Sequence, residues 1–435
     1  VTDETAVQST ATLTWRRTPA IALGIAGAAI VAGVGLALSR PDVVALGLPL
    51  ALTAGWALLS RPRPEHAHLV LRAQAAGDGD RPEVRTTVDV LLTADAVQVA
   101  VDQDGRRTGL ADVRPGTACV TARSTLQHSG PSEPLGVTAR GFDLDGAWVT
   151  GLLPRTAVAW NAPPRDARIS ALPVAPRLTG LHGVHPGTRP GQGGDFRDIQ
   201  PFVTGDELRR VDWRATARAA RRPGDLLVRR DDALSDSSVV IAIDTAEDLG
   251  AVVAAWGSGD ADRSGVTSLD HAREAALAIA TTAIGVGDRV AYHALSPAGV
   301  SLPSGGGVRH LARLRRAIAA TGLGIDPSYR RSPVVPPGSI VFVLSTFVDG
   351  VAARLATSWR AAGHAVVAVD VLPVPEQTRL TREQRIALRT LLAERADILT
   401  ELAHAGIEVV PWSSGADAAM RLAGHRLARR RTGRR

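Results

Sequence analysis

The alternation of apolar and polar positions changes character three times along the chain, and each change predicts a different kind of element. Residues 1–17 are mostly polar and end in Trp15-Arg16-Arg17. Residues 20–38 are then uncharged and apolar, long enough to cross a bilayer core. Ser39-Arg40-Pro41-Asp42 reads as a tight turn, and 43–59 forms a second apolar run followed directly by Arg61 and Arg63. Gly24, Ala28, Ala29, Gly33 and Ala37 include pairs of small residues four apart, which let two helices pack closely. A transmembrane helical hairpin is therefore expected over 19–60. Arginines at its outer ends place the N-terminal 1–18, and the chain beyond residue 60, on the cytoplasmic side of the membrane. A cleaved signal peptide ending near Ala37-Leu38-Ser39 fits less well, because Pro41 and a further apolar run follow at once.

From 65 to 162 the period drops to two. Short alternating runs at 68–71, 86–92, 97–101, 118–122, 135–139 and 147–152 are separated by Gly77-Asp78-Gly79-Asp80, Asp104-Gly105 and Asp145-Gly146. This spacing predicts a small antiparallel β-sandwich. The stretch from Ala162-Pro163-Pro164 to Pro190 is rich in proline and glycine and reads as a linker or a meandering arm within 163–235. His182 and His185 lie in it, without neighbours to complete a metal site, and read as exposed loop histidines.

Residues 193–218 predict an extended arm that turns into a helix. Pro201 disfavours helix at Gln200, and Thr204 with Glu207 has capping-box spacing, so the helix is expected to start at Gly205. On it Asp206 would meet Arg210, with Leu208, Val211 and Ala215 on one face.

The third change comes at 236. Residues 237–244 form a continuous apolar, β-branched run, the pattern of a strand buried on both faces. Helices at 269–284, 308–320, 351–362 and 382–405 then alternate with strands at 289–295, 339–344, 365–371 and 407–411. A mostly parallel sheet flanked by helices over 236–424 follows from that succession, with 250–266 as an insertion after the first strand.

Composition changes this picture in two places. The 435 residues are 45% apolar but only 3% aromatic, and the basic residues are all arginine. Of the net charge of +7, six charges fall in the basic tail 425–435 (Arg426, Arg429, Arg430, Arg431, Arg434, Arg435), leaving 7 − 6 = 1 for the rest. The body is thus not a basic nucleic-acid binder, and the tail reads as a solvated, disordered segment or as a contact for anionic lipid headgroups. Cys119 is the only cysteine, so no disulfide framework exists.

Asp195-Phe196-Arg197-Asp198-Ile199-Gln200-Pro201-Phe202, then Gly205-Asp206 and Leu208-Arg209-Arg210-Val211-Asp212-Trp213, closely resembles the signature of the bacterial family catalogued as domain of unknown function 58. The resemblance is tight over about 190–245 and looser to about 375. It implies a membrane-anchored protein with a von Willebrand factor A-like domain, commonly accompanied by a MoxR-type AAA+ ATPase.

Domains similar to von Willebrand factor A hold a divalent ion through Asp-x-Ser-x-Ser plus a distant Thr and Asp. Here Asp244 matches, Ala246 and Asp248 replace the two serines, and Ser345-Thr346 stands where the distant Asp is expected. That site looks eroded: Asp244 and Asp248 are what remains of it for a possible divalent cation, and otherwise Asp244 caps the next segment. Ser304-Gly305-Gly306-Gly307 lacks the Gly-Lys-Ser/Thr of a phosphate loop and reads as a turn. No His-Glu-x-x-His, Gly-x-Ser-x-Gly or Rossmann fingerprint occurs.

The expectation is therefore a membrane-anchored adaptor without catalytic residues or a resident cofactor, working with such an ATPase. Phe196, Phe202 and Trp213 among arginines form either its docking surface or an internal brace. A metal-dependent enzyme or adhesion-type module using Asp244 is the alternative.

Overall fold

The computed structural model describes residues 4–60, 65–76, 82–103, 106–113, 119–143, 146–175, 185–219, 222, 225–256, 264–297, 299–324, 332–413 and 415–432. They fall into two compact units, one of 1–127 with 131–162 and one of 128–130 with 163–435.

In the first unit, strands β1 (Glu4–Leu13) and β2 (Trp15–Arg17) precede helices α1 (Pro19–Ala37), α2 (Pro41–Leu46) and α3 (Leu48–Leu59). Strands β3 (Glu65–Ala76), β4 (Glu83–Leu91), β5 (Ala96–Gln103), β6 (Arg106–Val113), β7 (Cys119–Thr125), β8 (Gly130–Ser132), β9 (Gly136–Phe142), β10 (Trp148–Thr150), β11 (Thr156–Ala157) and β12 (Trp160–Ala162) follow. They build two main antiparallel sheets, ordered β1-β3-β4-β7 and β2-β10-β9-β5-β6. Leu69, Leu71, Val84 and Val88 of the first sheet share one buried cluster with Val97, Val99 and Val137 of the second.

The polar N-terminal segment thus forms two strands, which its sequence pattern does not predict. Its inward positions are Thr5, Val7, Ser9, Ala11 and Leu13, and such small or hydroxylated residues leave almost no apolar alternation to detect. Strand β6 was also not expected.

The helical pair has two spans of 19 residues, Pro19–Ala37 and Pro41–Leu59, long and apolar enough to cross a membrane. Leu23, Ile30, Leu36, Leu52 and Trp56 face outward from it. Small residues set the approach: a Cβ at Gly35 would lie 2.7 Å from the Val44 side chain, and one at Gly24 3.3 Å from Ala54 Cβ. Where the pair meets the second sheet, Trp148 is buried with Ile21, Ala57 and Ala147, and its Nε1 donates to the Ala57 carbonyl at 2.8 Å.

The second unit contains β13 (His185–Pro201), the short helix α4 (Trp213–Ala219) and β14 (Leu227–Ser235). These lead into β15 (Ser238–Asp244), α5 (Ser268–Gly285), β16 (Arg289–Leu295), β17 (Ser301–Gly305) and α6 (Gly307–Ala319). Then come β18 (Ile340–Ser345), α7 (Val351–Ala361), β19 (Ala365–Asp370), α8 (Arg382–His404), β20 (Glu408–Pro411) and α9 (Ala416–Thr432). The sheet order is β17-β16-β15-β18-β19-β20, parallel except for the edge strand β17. Every residue of β15 is buried. Its Val239, Ile241 and Ile243 pack with α5, α6 and α9, while Val240 and Ala242 pack with α7 and α8. The expected helices and strands of this half are present to within one or two residues.

Three expectations are decided or corrected here. Of the two readings of the proline-rich stretch, residues 163–175 follow the arm and not the free linker: Ile169 and Ala175 are buried in the α/β core, and Ser170 N–H and Oγ both donate to Asp417 Oδ1 at 2.7 Å. Proline-rich backbone can lie along helices without needing a ladder of its own. The start of the basic tail is helical, because α9 runs to Thr432, with Arg426 reaching Glu408 at 3.2 Å. His185 is not a loop histidine: its Nε2 lies 3.0 Å from Asp288 Oδ1, which also accepts the Ser237 N–H at 2.8 Å. His182 and residues 257–263 of the expected insertion lie outside the described residues.

The bond from Asp288 holds the His185 imidazolium above its ordinary range, against the opposing effect of burial. A raised folded-state pKa gives stability that is complete below the unfolded value of 6.5 and is lost as pH rises through the folded value. Wild type is therefore expected to exceed His185→Gln in stability by ~1 kcal/mol more at about pH 5.5 than at about pH 8.5. Thermal unfolding at the two pH values checks this, and a difference independent of pH removes the ion pair from the account.

Candidate functional site

The family-like signature is a β-hairpin with an elaborate loop. Strands β13 and β14 pair antiparallel, with Gln200 opposite Val228 and Ile199 opposite Arg229. The expected helix from Gly205 does not form. Gly205 sits at φ 105°, a left-handed conformation that starts no helix, and Asp206 Oδ2 instead accepts the Val203 N–H at 2.9 Å. Asp206 also meets Arg230 at 3.4 Å, not Arg210. A single 3-10 turn follows at Leu208–Arg210, in which Glu207 pairs with Arg209 at 2.5 Å and Arg210 at 3.6 Å.

The chain then returns to the hairpin. Val211 bridges to Val228, and both are buried. Asp212 is the true cap of α4: its Oδ1 accepts the Ala215 N–H at 2.9 Å, while its own N–H donates to Leu227 O at 2.8 Å. Thr216 Oγ1 accepts the Leu227 N–H at 3.0 Å, so both ends of the loop are tied to β14. Phe202, half-buried, closes the base through a bond from its N–H to Leu226 O at 2.8 Å.

This scaffold divides the signature into two sets. Val211, Asp212, Asp206 and Phe202 hold the loop to the hairpin. Phe196, Ile199, Val203, Leu208 and Trp213 instead project, Leu208 with 65% and Trp213 with 66% of its surface exposed. Arg229 stacks over Phe196 at 5.3 Å from the ring centre. Arg197, Gln200 and Pro201 are exposed along β13, and Gln200 Nε2 donates to Asp198 at 2.8 Å. Arg214 and Arg218 are exposed beside Trp213 and have no ion-pair partner among the described residues. Asp195 lies in β13, and its side chain is outside the described residues. An indole at that exposure does not plug a core.

A second polar cluster lies at the carboxyl ends of β15, β18 and β19. The sheet's connections diverge between β15 and β18, the position at which open α/β sheets form a crevice. Asp244, buried at the end of β15, accepts from Ser345 Oγ at 2.7 Å and from the Ala246 N–H at 3.1 Å. Ser345 Oγ in turn accepts the Phe347 N–H at 2.9 Å. Thr346 Oγ1 donates to Glu247 at 2.7 Å. Burial pushes the Glu247 carboxyl up, and the charges of Asp349 and Asp244 add to that against the Thr346 bond. Arg395 of α8 donates from Nε to Thr346 O at 2.6 Å and pairs with Asp370.

The divalent-cation expectation can be tested on these donors. Asp248 Oδ1 accepts the Leu269 N–H at 3.0 Å at the start of α5. It therefore serves a helix end and does not share a centre with Asp244. Ala246 offers no ligand, and no group of three ligating His, Cys, Asp or Glu occurs among the described residues. This donor set does not fit a divalent ion.

What the Ser345 hydroxyl does is join two strands. Ser345→Ala is expected to lower stability by about 1–3 kcal/mol, because a buried carboxylate loses one of its hydrogen bonds and the Phe347 N–H loses its acceptor. Chemical denaturation measures it, and a loss below about 0.5 kcal/mol would show that the strand ends do not depend on this bond.

No curated protein and no solved structure matches the chain. Residues 198–389, which hold the signature loop and every strand of the α/β sheet but β20, match the model of the family described as "Protein of unknown function DUF58". The match covers somewhat less than half of the chain, and over that span the chain is similar to that family.

Proposed function

We propose that the protein is a membrane-anchored adaptor whose signature loop docks a partner, with a MoxR-type AAA+ ATPase as that partner. In this reading α1 to α3 form a two-span anchor in a bacterial inner membrane. The arginines flanking it keep both units on the cytoplasmic side. The two antiparallel sheets make a β-sandwich, and the α/β unit is a von Willebrand factor A-like domain used for binding.

One observation carries the proposal. Trp213, Leu208 and Phe196 stand exposed among arginines on a loop tied to its hairpin at both ends. Trp and Arg dominate interface hot spots, and a rigid backbone lowers the entropic cost of binding. The ATPase as partner rests on the likeness of the signature to its family. No nucleic acid is part of the reading, since the body carries almost no net charge once the six C-terminal arginines are set aside.

Trp213→Ala combined with Arg214→Ala is expected to weaken capture of the purified MoxR-type ATPase of the same bacterium about 100-fold. The thermal midpoint should stay where it is, because both side chains are exposed. Unchanged capture would leave the signature as an internal brace. A lowered midpoint would have the same meaning.

A further inference from the structure

We infer that Ser264, His128 and Asp270 form a nucleophilic relay able to take the acyl group from an activated ester. The site shares no residue with the signature loop and does not depend on the adaptor reading. His128–Gly130 belongs to the second unit, as do Ser264 and Asp270.

The three side chains connect in the order such chemistry needs. His128 Nδ1 lies 2.7 Å from Asp270 Oδ2, and His128 Nε2 lies 3.2 Å from Ser264 Oγ. The Asp270 carboxylate is fixed on all sides. Its Oδ1 accepts the N–H and the hydroxyl of Ser129, each at 2.8 Å, and its Oδ2 accepts the Thr267 N–H at 3.2 Å. Arg273 Nη1 stands 3.6 Å away and donates to Ser129 O at 2.9 Å. Burial opposes ionisation of Asp270, but His128, Ser129 and Thr267 outweigh it and hold its carboxyl down to about 2. A fixed carboxylate on Nδ1 keeps the ring proton there, so Nε2 offers its lone pair to the serine hydroxyl.

Ser264 is held as firmly. Its carbonyl accepts the Val252 N–H at 3.0 Å, and Val266 O accepts the Ala251 N–H at 2.9 Å. A Cβ at Gly250 would come within 2.2 Å of Ser264 O, so only glycine allows the two segments this close. The hydroxyl also has Gly265 O at 3.2 Å as a competing acceptor. His128 keeps 20% of its side-chain surface exposed, which leaves the relay open to solvent.

The reaction follows from those roles. Ser264 Oγ attacks the ester carbonyl carbon and passes its proton to Nε2. The bond to the leaving oxygen breaks, and that oxygen takes the proton. Water, deprotonated by Nε2, then releases the acyl group as a carboxylic acid and restores Ser264. The N-terminus of α5 supplies no oxyanion donor. The N–H groups of Ser268, Leu269, Asp270 and His271 are engaged by Leu249 O, Asp248 Oδ1, Thr267 Oγ1 and Thr267 O. Each missing donor costs about 100- to 1000-fold in rate, which confines the substrates to esters with good leaving groups.

Purified full-length protein treated with a fluorophosphonate probe is expected to be phosphonylated at Ser264, located by peptide mass spectrometry. It should also release p-nitrophenol from p-nitrophenyl acetate. Ser264→Ala should abolish both, and His128→Gln should reduce both about 100-fold and lose the pH-dependent limb of the rate. Asp270→Asn should move the pH midpoint of labelling, with thermal melting followed in parallel to separate this from a loosened cap. A wild-type protein left unlabelled at Ser264 overturns the relay, as does hydrolysis that survives in Ser264→Ala. An unmoved midpoint in a folded Asp270→Asn removes the carboxylate from it.

Discussion

The second unit depends on one strand being buried from both sides. Residues of β15 point alternately into two apolar layers, and each large aliphatic side chain among them contributes roughly 1.5–3 kcal/mol by leaving water. A strand in that position exposes neither face, so helices must cover both. Its neighbours β16 and β18 must also be parallel, because each is reached only by a crossover. The polar atoms follow the same constraint. Ser345 meets Asp244 where β15 ends, so the one carboxylate that the strand carries into the interior is matched by a hydroxyl from the adjacent strand.

That strand was legible because its pattern is local. A run of Val and Ile with no polar interruption has few alternatives, and the helix–strand succession after it follows from the same residues. The N-terminal strands were illegible for the opposite reason. The inward side of β1 is Thr5, Ser9 and Ala11 as much as Val7 and Leu13, and its pairing with β3 spans more than fifty residues, as that of β2 with β10 spans more than a hundred. In the signature, the local signal was present and lost. Thr204 and Glu207 have the spacing of a capping box, but the left-handed Gly205 and the bond from Asp206 to Val203 start a turn. Contacts to β14 through Val211 and Asp212 then outweigh the propensity for a longer helix.

The candidate sites were legible to different degrees. The composition of the signature announced an unusual surface, but which aromatic faces outward depends on the hairpin register. Phe202 turns to the base and Trp213 to solvent, although both read alike in sequence. Asp248 shows the limit of spacing arguments: it stands where a motif ligand is expected, yet it serves the first turn of α5. The relay could not be seen at all. His128 and Ser264 are 136 residues apart, and neither lies in a motif that sequence patterns describe.

A division of labour links these observations. Within the signature, the residues that hold the loop and those that face solvent are different, and they interleave over fewer than twenty positions. Removing an exposed side chain such as Trp213 therefore touches none of the bonds that fix the backbone. The reverse does not hold. Loss of Asp212 would free the first turn of α4 and with it the direction of the indole that follows. The orientation of the surface is thus set by hydrogen bonds within the loop and to β14, while its chemistry is set by side chains that contribute little to folding. For that reason the surface chemistry of this loop can be altered independently of the strands that hold it.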